Sequence, residues 1–289
     1  MTIAIADDLV LPRKRNRILS KFLGNRSAMM GAGLVLFFIV IAVLAPLIAP
    51  HDPIKPSFST IRKAPSAIFW FGTDELGRDV FSRMVIGARA SLMAGVVSVA
   101  IAVLLGVPFG LISGYFGGWI DATISRSTEA MLAIPFLIFA IALAAFLGPS
   151  LTNAMIAIGL SAMPIFVRLT RGQVLTIKAE DYVEGARAIG LPNFWIILRY
   201  ILPNVLPPIL VQATLTVATA IIAEASLSFL GLGQQPPNPS WGSMLNTAKN
   251  FMSQAPWMSF FPGSAIFLIV LGFNLFGDGL RDALDPREN

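Results

Sequence analysis

Six stretches of the chain are almost free of charge and close to twenty residues long, at about 28–49, 91–113, 130–147, 151–167, 205–230 and 257–276. A hydrocarbon core of about 30 Å takes roughly 20 apolar helical residues to cross, so each stretch predicts a membrane-spanning helix. The first follows a basic segment, as a secretory signal would. Its length of about two dozen residues exceeds a signal core, and Ala45-Pro46 offers no small-x-small cleavage site, so it is expected to stay as an anchor. The pattern predicts an all-α polytopic membrane protein with six transmembrane helices.

Composition agrees with the pattern. Of 289 residues, 55% are hydrophobic and 13% charged, against roughly a quarter charged in a soluble domain. A soluble chain must cover its outside with polar groups, whereas a lipid-embedded one presents Leu and Val to the bilayer. With no cysteine, disulfides, thiolate metal sites and cysteine nucleophiles are excluded. No nucleophile elbow or metal-ligand spacing occurs, so no enzyme activity and no metal or cofactor is expected.

Charge sets the expected sidedness. Arg13, Lys14, Arg15, Arg17, Lys21 and Arg26 precede the first apolar run and read as a topology anchor, not as an arm for nucleic acid. With the N-terminus inside, fourteen of the 21 positive residues fall on inner segments and seven on outer ones. That bias predicts both termini in the cytoplasm. Prolines at 108, 135, 164, 207, 208 and 262 lie within or beside spans. They read either as kinks that let a bundle rock or as the ordinary proline content of membrane helices.

The polar insert 168–203 separates the fourth and fifth spans and predicts two short helices. Lys178, Asp181, Glu184 and Arg187 recur every third residue, with Tyr182, Val183, Ala186 and Ile189 on another side. Gly190 supplies a left-handed turn, and Asn193 caps a second helix over 194–202 that Pro203 is expected to end. Nine residues reach only about 14 Å, too short to cross a bilayer. The insert is therefore either a compact knob offered to a partner or a solvated connection.

The order Glu184-Gly185-Ala186, Gly190, Leu202-Pro203 resembles the E-A-A-x3-G-x9-I-x-L-P loop of the permeases of binding-protein-dependent ABC importers. Gly185 stands for the first alanine and Tyr200 for the isoleucine. The segment 71–83, FGTDELGRDVFSR, resembles the first extracytoplasmic loop of the dipeptide and oligopeptide C-type permeases. The segments 226–242 and 280–287 resemble their loop after the fifth span and their tail.

The resemblance implies a type I ABC importer permease fold in the bacterial cytoplasmic membrane. Glu184, Gly185, Ala186, Gly190, Leu202 and Pro203 would then form a cytoplasmic coupling helix and its support. It implies as partners a second homologous permease, two ATP-binding-cassette ATPase subunits and an extracytoplasmic solute-binding protein. ATP is hydrolysed by those partners, because no Gly-Lys pair exists here to build a phosphate loop. The implied division is a cytoplasmic tail at 1–27, a first helix and outer loop at 28–88, the transport domain at 89–280, and a tail at 281–289.

Trp70 and Trp241, in the two outer loops, are candidates for docking the binding protein, or else belong to an ordered interfacial cap. Glu224 is the one carboxylate well inside a span. It reads either as a structural group at a contact between subunits or as a solute contact at the cavity mouth. An ion-coupled secondary transporter is the rival class, and a single intramembrane carboxylate is a poor proton relay for it.

Overall fold

The computed structural model describes residues 20–284. Arg13, Lys14, Arg15 and Arg17 of the basic segment, and Arg287 of the tail, lie outside the described residues. The described chain is helical. Its long helices are α1 (Arg26–Ile48), α2 (Val80–Phe116), α3 (Gly118–Leu132), α4 (Phe136–Leu147), α5 (Leu151–Ile177), α6 (Asp181–Ala188), α7 (Asn193–Phe229), α8 (Trp241–Ala248) and α9 (Trp257–Leu284). Among the described residues the only β pairing is an isolated bridge between Thr73 and Asp79.

Five helices (α1, α2, α5, α7 and α9) are long and apolar enough to cross a bilayer. The stretch 130–147, expected as one spanning helix, instead falls in the pair α3 and α4, bent by 92°, which makes six crossings if the pair is counted as one span. Pro135 causes the break. It lacks an amide hydrogen and disfavours helical geometry at Ile134, so the helix ends at Leu132 and restarts at Phe136. The twelve residues of α4 rise only about 18 Å. The polar α3, carrying Asp121, Arg126 and Glu129, lies across its end.

A second difference concerns Pro203, which does not end the helix after the insert. Residues Ile197–Ile201 form a π-helical turn, where Leu202 donates to the Ile197 carbonyl five residues back. The wider turn relieves the clash that a proline ring makes in a regular helix, so α7 runs on through Pro203, Pro207 and Pro208. The short apolar segment 194–202, too short by itself to cross a bilayer, therefore forms the first turns of the helix that makes the fifth span.

The two central helices, α2 and α5, run parallel and meet along glycines. A Cβ on Gly106, Gly110 or Gly114 would come within 2.5–2.7 Å of the Cβ atoms of Phe166, Thr170 and Val174 respectively. With lipid on the outside there is little hydrophobic drive between helices, and such close backbone approach supplies the contact instead. Gly31 and Gly279 bring α1 against α9 in the same way. The 37 residues of α2 rise about 55 Å, more than a hydrocarbon core is thick. Its first turns, which begin earlier than the apolar run at 91 suggested, stand inside the loop 49–79.

The bundle has two dissimilar ends. One carries the loops 49–79 and 231–256. The other carries the hairpin 178–193, the start of α1 and the end of α9, where the Asn25 amide donates to Asp282 at 3.1 Å.

Candidate functional site

The hairpin is built on α6. Gly190 has φ of +81°, which an L side chain rarely adopts. Its N–H donates to the Arg187 carbonyl at 2.9 Å, and the Leu191 N–H reaches back to Ala186 at 3.2 Å. This is the paired bond pattern of a glycine-closed helix end. The expected faces hold in part. Val183 and Ala186 are buried in the main core, whereas Tyr182 and Ile189 are exposed, as are Glu184 and Gly185. A Cβ on Gly185 meets nothing within 4 Å, so the place of an alanine is left open.

The inner side of the hairpin is tied to α2 and α5. Lys178 Nζ donates to the Gly114 carbonyl at 2.8 Å, and the Tyr115 hydroxyl donates to Asn193 Oδ1 at 2.7 Å. The Arg187 guanidinium lies 5.0 Å above the Tyr115 ring. Beneath them Arg171 grips Asp121 through two hydrogen bonds, one of 2.7 Å, joining α5 to α3. Tyr115 and Asp121 escaped the sequence reading, and so did the pairings of Asn193 and Arg171, since these cross 78 and 50 residues. Asn193 is not the expected cap, because Pro192 holds that position and the Asn193 side chain accepts from Tyr115 instead. On the outer side Glu184 is exposed, as are Ile189, Phe194 and Trp195. Leu202 is half-buried and Pro203 exposed, both on α7. The structure therefore leaves Glu184, Gly185 and Gly190 exposed on one hairpin, with Ala186 buried beneath them and Leu202 and Pro203 on the next helix.

At the opposite end the segment 71–83 folds into a buried ion cluster. Arg78 pairs with Asp74 and Glu75 at 2.6 Å each, and Arg83 lies 3.3 Å from Asp74 and donates to the Pro53 carbonyl. Burial, and then the neighbouring Asp74, push the Glu75 carboxyl up from its ordinary value against the pull of the two arginines. Trp257 Nε1 donates to the Thr73 carbonyl, fastening this loop to α9.

The two tryptophans part ways here. Trp70 is 56% exposed, edge-on to Phe81. Trp241 is 1% exposed: its Nε1 donates to the Met84 carbonyl and its ring meets Phe38. Trp241 is thus an internal anchor and offers no docking surface, because the capped start of α8 folds back under α2 and turns the indole inward.

Glu224 is also internal. It is fully buried and accepts from Ser228 Oγ at 2.7 Å and Ser91 Oγ at 3.2 Å. Ser228 in turn accepts from the Gln234 N–H, and Ser91 from the Trp241 N–H. Within this chain the buried carboxylate joins α2, α7 and the returning loop. The i,i+4 spacing of Glu224 and Ser228 was the available signal. Among the described residues no group of three or more His, Asp or Glu side chains could hold a metal.

The comparisons with known proteins agree with this layout. A family profile described as the binding-protein-dependent transport system inner membrane component matches residues 106–289. A second, the N-terminal membrane domain of oligopeptide transport permease C, matches 16–65. The dipeptide transport system permease protein DppC of Alkalihalophilus pseudofirmus is 50% identical over 263 residues, 91% of this chain and 86% of that protein. The probable D,D-dipeptide transport system permease protein DdpC of Escherichia coli strain K12 is 42% identical over 99% of this chain and 98% of its own length. The glutathione transport system permease protein GsiD of Escherichia coli O157:H7 is 46% identical over 92% of this chain and 88% of its own. Among solved structures, a chain of the inward-facing MetNI methionine ABC transporter superposes with a TM-score of 0.59, covering 71% of this chain and 98% of its own at 20% identity, a likeness of fold. With its helical bundle, its tethered hairpin and these matches over most of its length, the chain belongs to the family of binding-protein-dependent transport system inner membrane components, which are permeases and not enzymes.

Proposed function

We propose that the chain is the C-type permease of an ATP-driven importer of dipeptides, oligopeptides or similar small solutes, sitting in the bacterial cytoplasmic membrane with both termini inside. A second homologous permease would complete the pathway, two ATP-binding-cassette subunits would supply the energy, and a solute-binding protein would deliver cargo. Relatives named for dipeptide, D,D-dipeptide and glutathione transport support a peptidic solute. The first-helix-and-loop unit over 28–88 and the transport domain over 89–280 belong to the same proposal, with short cytoplasmic tails at 1–27 and 281–289.

One observation carries it: the hairpin has an exposed acidic and apolar face on a base locked to the two central helices. A force applied at Glu184 to Gly190 would reach α2 and α5 without being lost in a soft joint. ATP acts by favouring one of two arrangements of the bundle, so the hairpin needs only to move as a unit. Glu184→Lys reverses the exposed charge. Gly190→Pro forbids the positive φ and removes the N–H that closes α6. In the assembled complex each is expected to leave the chain inserted in the membrane and to bring ATP-driven uptake close to background. Wild-type uptake at normal expression would defeat the assignment.

Trp70 is the proposed contact for the binding protein on the other face. Trp70→Ala is expected to lower binding-protein-stimulated ATPase activity severalfold while basal hydrolysis stays, as loss of an aromatic anchor does at interfaces. Unchanged stimulation would remove Trp70 from the docking surface.

A further inference from the structure

Beside the hairpin, between α5, α7 and α9, lies a cleft of about 510 Å³. That is within the roughly 300–1,000 Å³ of small-molecule sites, which pair an apolar wall with a few convergent polar groups. Here the apolar wall includes Pro207 and Pro208, and the polar groups are Gln173, Asn204, Gln212 and Arg281.

The chemistry of these groups is one-sided in a useful way. Arg281 borders the cleft with a guanidinium that forms no ion pair or hydrogen bond among the described residues, so its fork of donors is unspent. Gln212 gives its amide to Thr216 Oγ1 at 3.2 Å and keeps its carbonyl free to accept. Pro207 and Pro208 have no N–H, so the carbonyls of Pro203 and Asn204 lose the donors that a regular helix would supply four residues on. The cleft thus combines a carboxylate-matching cation with acceptors for N–H groups. Asn204 also donates to the Tyr182 hydroxyl at 3.2 Å, which puts the cleft one hydrogen bond from α6.

We infer that the cleft binds a short peptide through its free C-terminal carboxylate, held by Arg281. This rests on the transport function proposed above, and adds a solute site within this one chain and a route from that site, through Asn204 and Tyr182, to the hairpin. An anionic lipid headgroup would use the same cation, and the test separates the two.

The complete complex, without its binding protein, is placed in nanodiscs of phosphatidylcholine, and binding of alanyl-phenylalanine is compared with that of its C-terminal amide. The free acid is expected to bind about tenfold more tightly, the worth of a charge-assisted pair. Arg281→Gln should erase that preference, and Arg281→Lys should keep part of it. No binding, equal binding of acid and amide, or a preference that survives Arg281→Gln would overturn the site. So would a result in nanodiscs containing phosphatidylglycerol where Arg281→Gln changes only the bound lipid. Stimulation of the wild-type ATPase by the binding protein, measured on the same complex, keeps the two ideas apart. Stimulation without the acid preference sinks the cleft alone, and the preference without stimulation keeps the cleft and sinks the importer reading.

Discussion

Two chains of donors converge on Glu224, one from the Gln234 N–H through Ser228 and one from the Trp241 N–H through Ser91. Both end in hydroxyls, which can donate or accept, so an amide in place of the carboxyl still finds partners. Glu224→Gln is therefore expected to hold thermal stability within about 1 kcal/mol, while Glu224→Leu should cost about 2 kcal/mol or more by leaving buried hydroxyls unpaired. Melting of the purified chain in detergent checks this; equal loss in both variants would mean that the network contributes nothing specific. At this scale the hairpin was readable, because Glu184, Ala186 and Gly190 act over seven consecutive residues. The partners of Glu224 were not, since Ser91 is 133 residues away and a serine has no sequence mark of facing a carboxylate.

Among the elements, the α2 and α5 pair depends on backbone approach more than on side-chain volume. Gly110→Leu would drive a Cβ to 2.5 Å from that of Thr170 and 2.7 Å from the Val167 carbonyl. A cost of about 1–3 kcal/mol is expected, read as a lower melting temperature. Gly172→Leu is the control, because a Cβ there meets nothing within 4 Å. If the two variants melt alike, the glycine contact is not what holds these helices. The apolar runs located five crossings correctly but erred at proline. Pro135 breaks its helix, whereas Pro203 does not, because a π-turn precedes it. A proline in a sequence records a missing donor, and neighbouring turns decide whether the helix bends, widens or stops.

For the molecule as a whole, the two ends of the bundle must face opposite sides of a membrane. The chain has no native cysteine, so single cysteines report cleanly. Phe58→Cys, at a position 75% exposed in the loop 49–79, is expected to react with an impermeant maleimide on intact spheroplasts. Arg126→Cys, where the native side chain is 85% exposed on α3, should react only after permeabilisation. Labelling of both from the same side would overturn the sidedness, and with it the use of the hairpin by an internal ATPase.

Class, five of the spans and the position of the hairpin were determined by the sequence alone, because they rest on local quantities. A run of twenty apolar residues needs lipid whatever its neighbours do, and a Gly-closed polar helix between two spans cannot be buried in them. Only the tertiary structure decided that Trp241 faces inward while Trp70 stays outside, that Glu224 is caged by serines, and that Arg281 borders a cleft. Each of these depends on which helix lies alongside, and that is set by packing between residues far apart in the chain, where no local pattern records the partner.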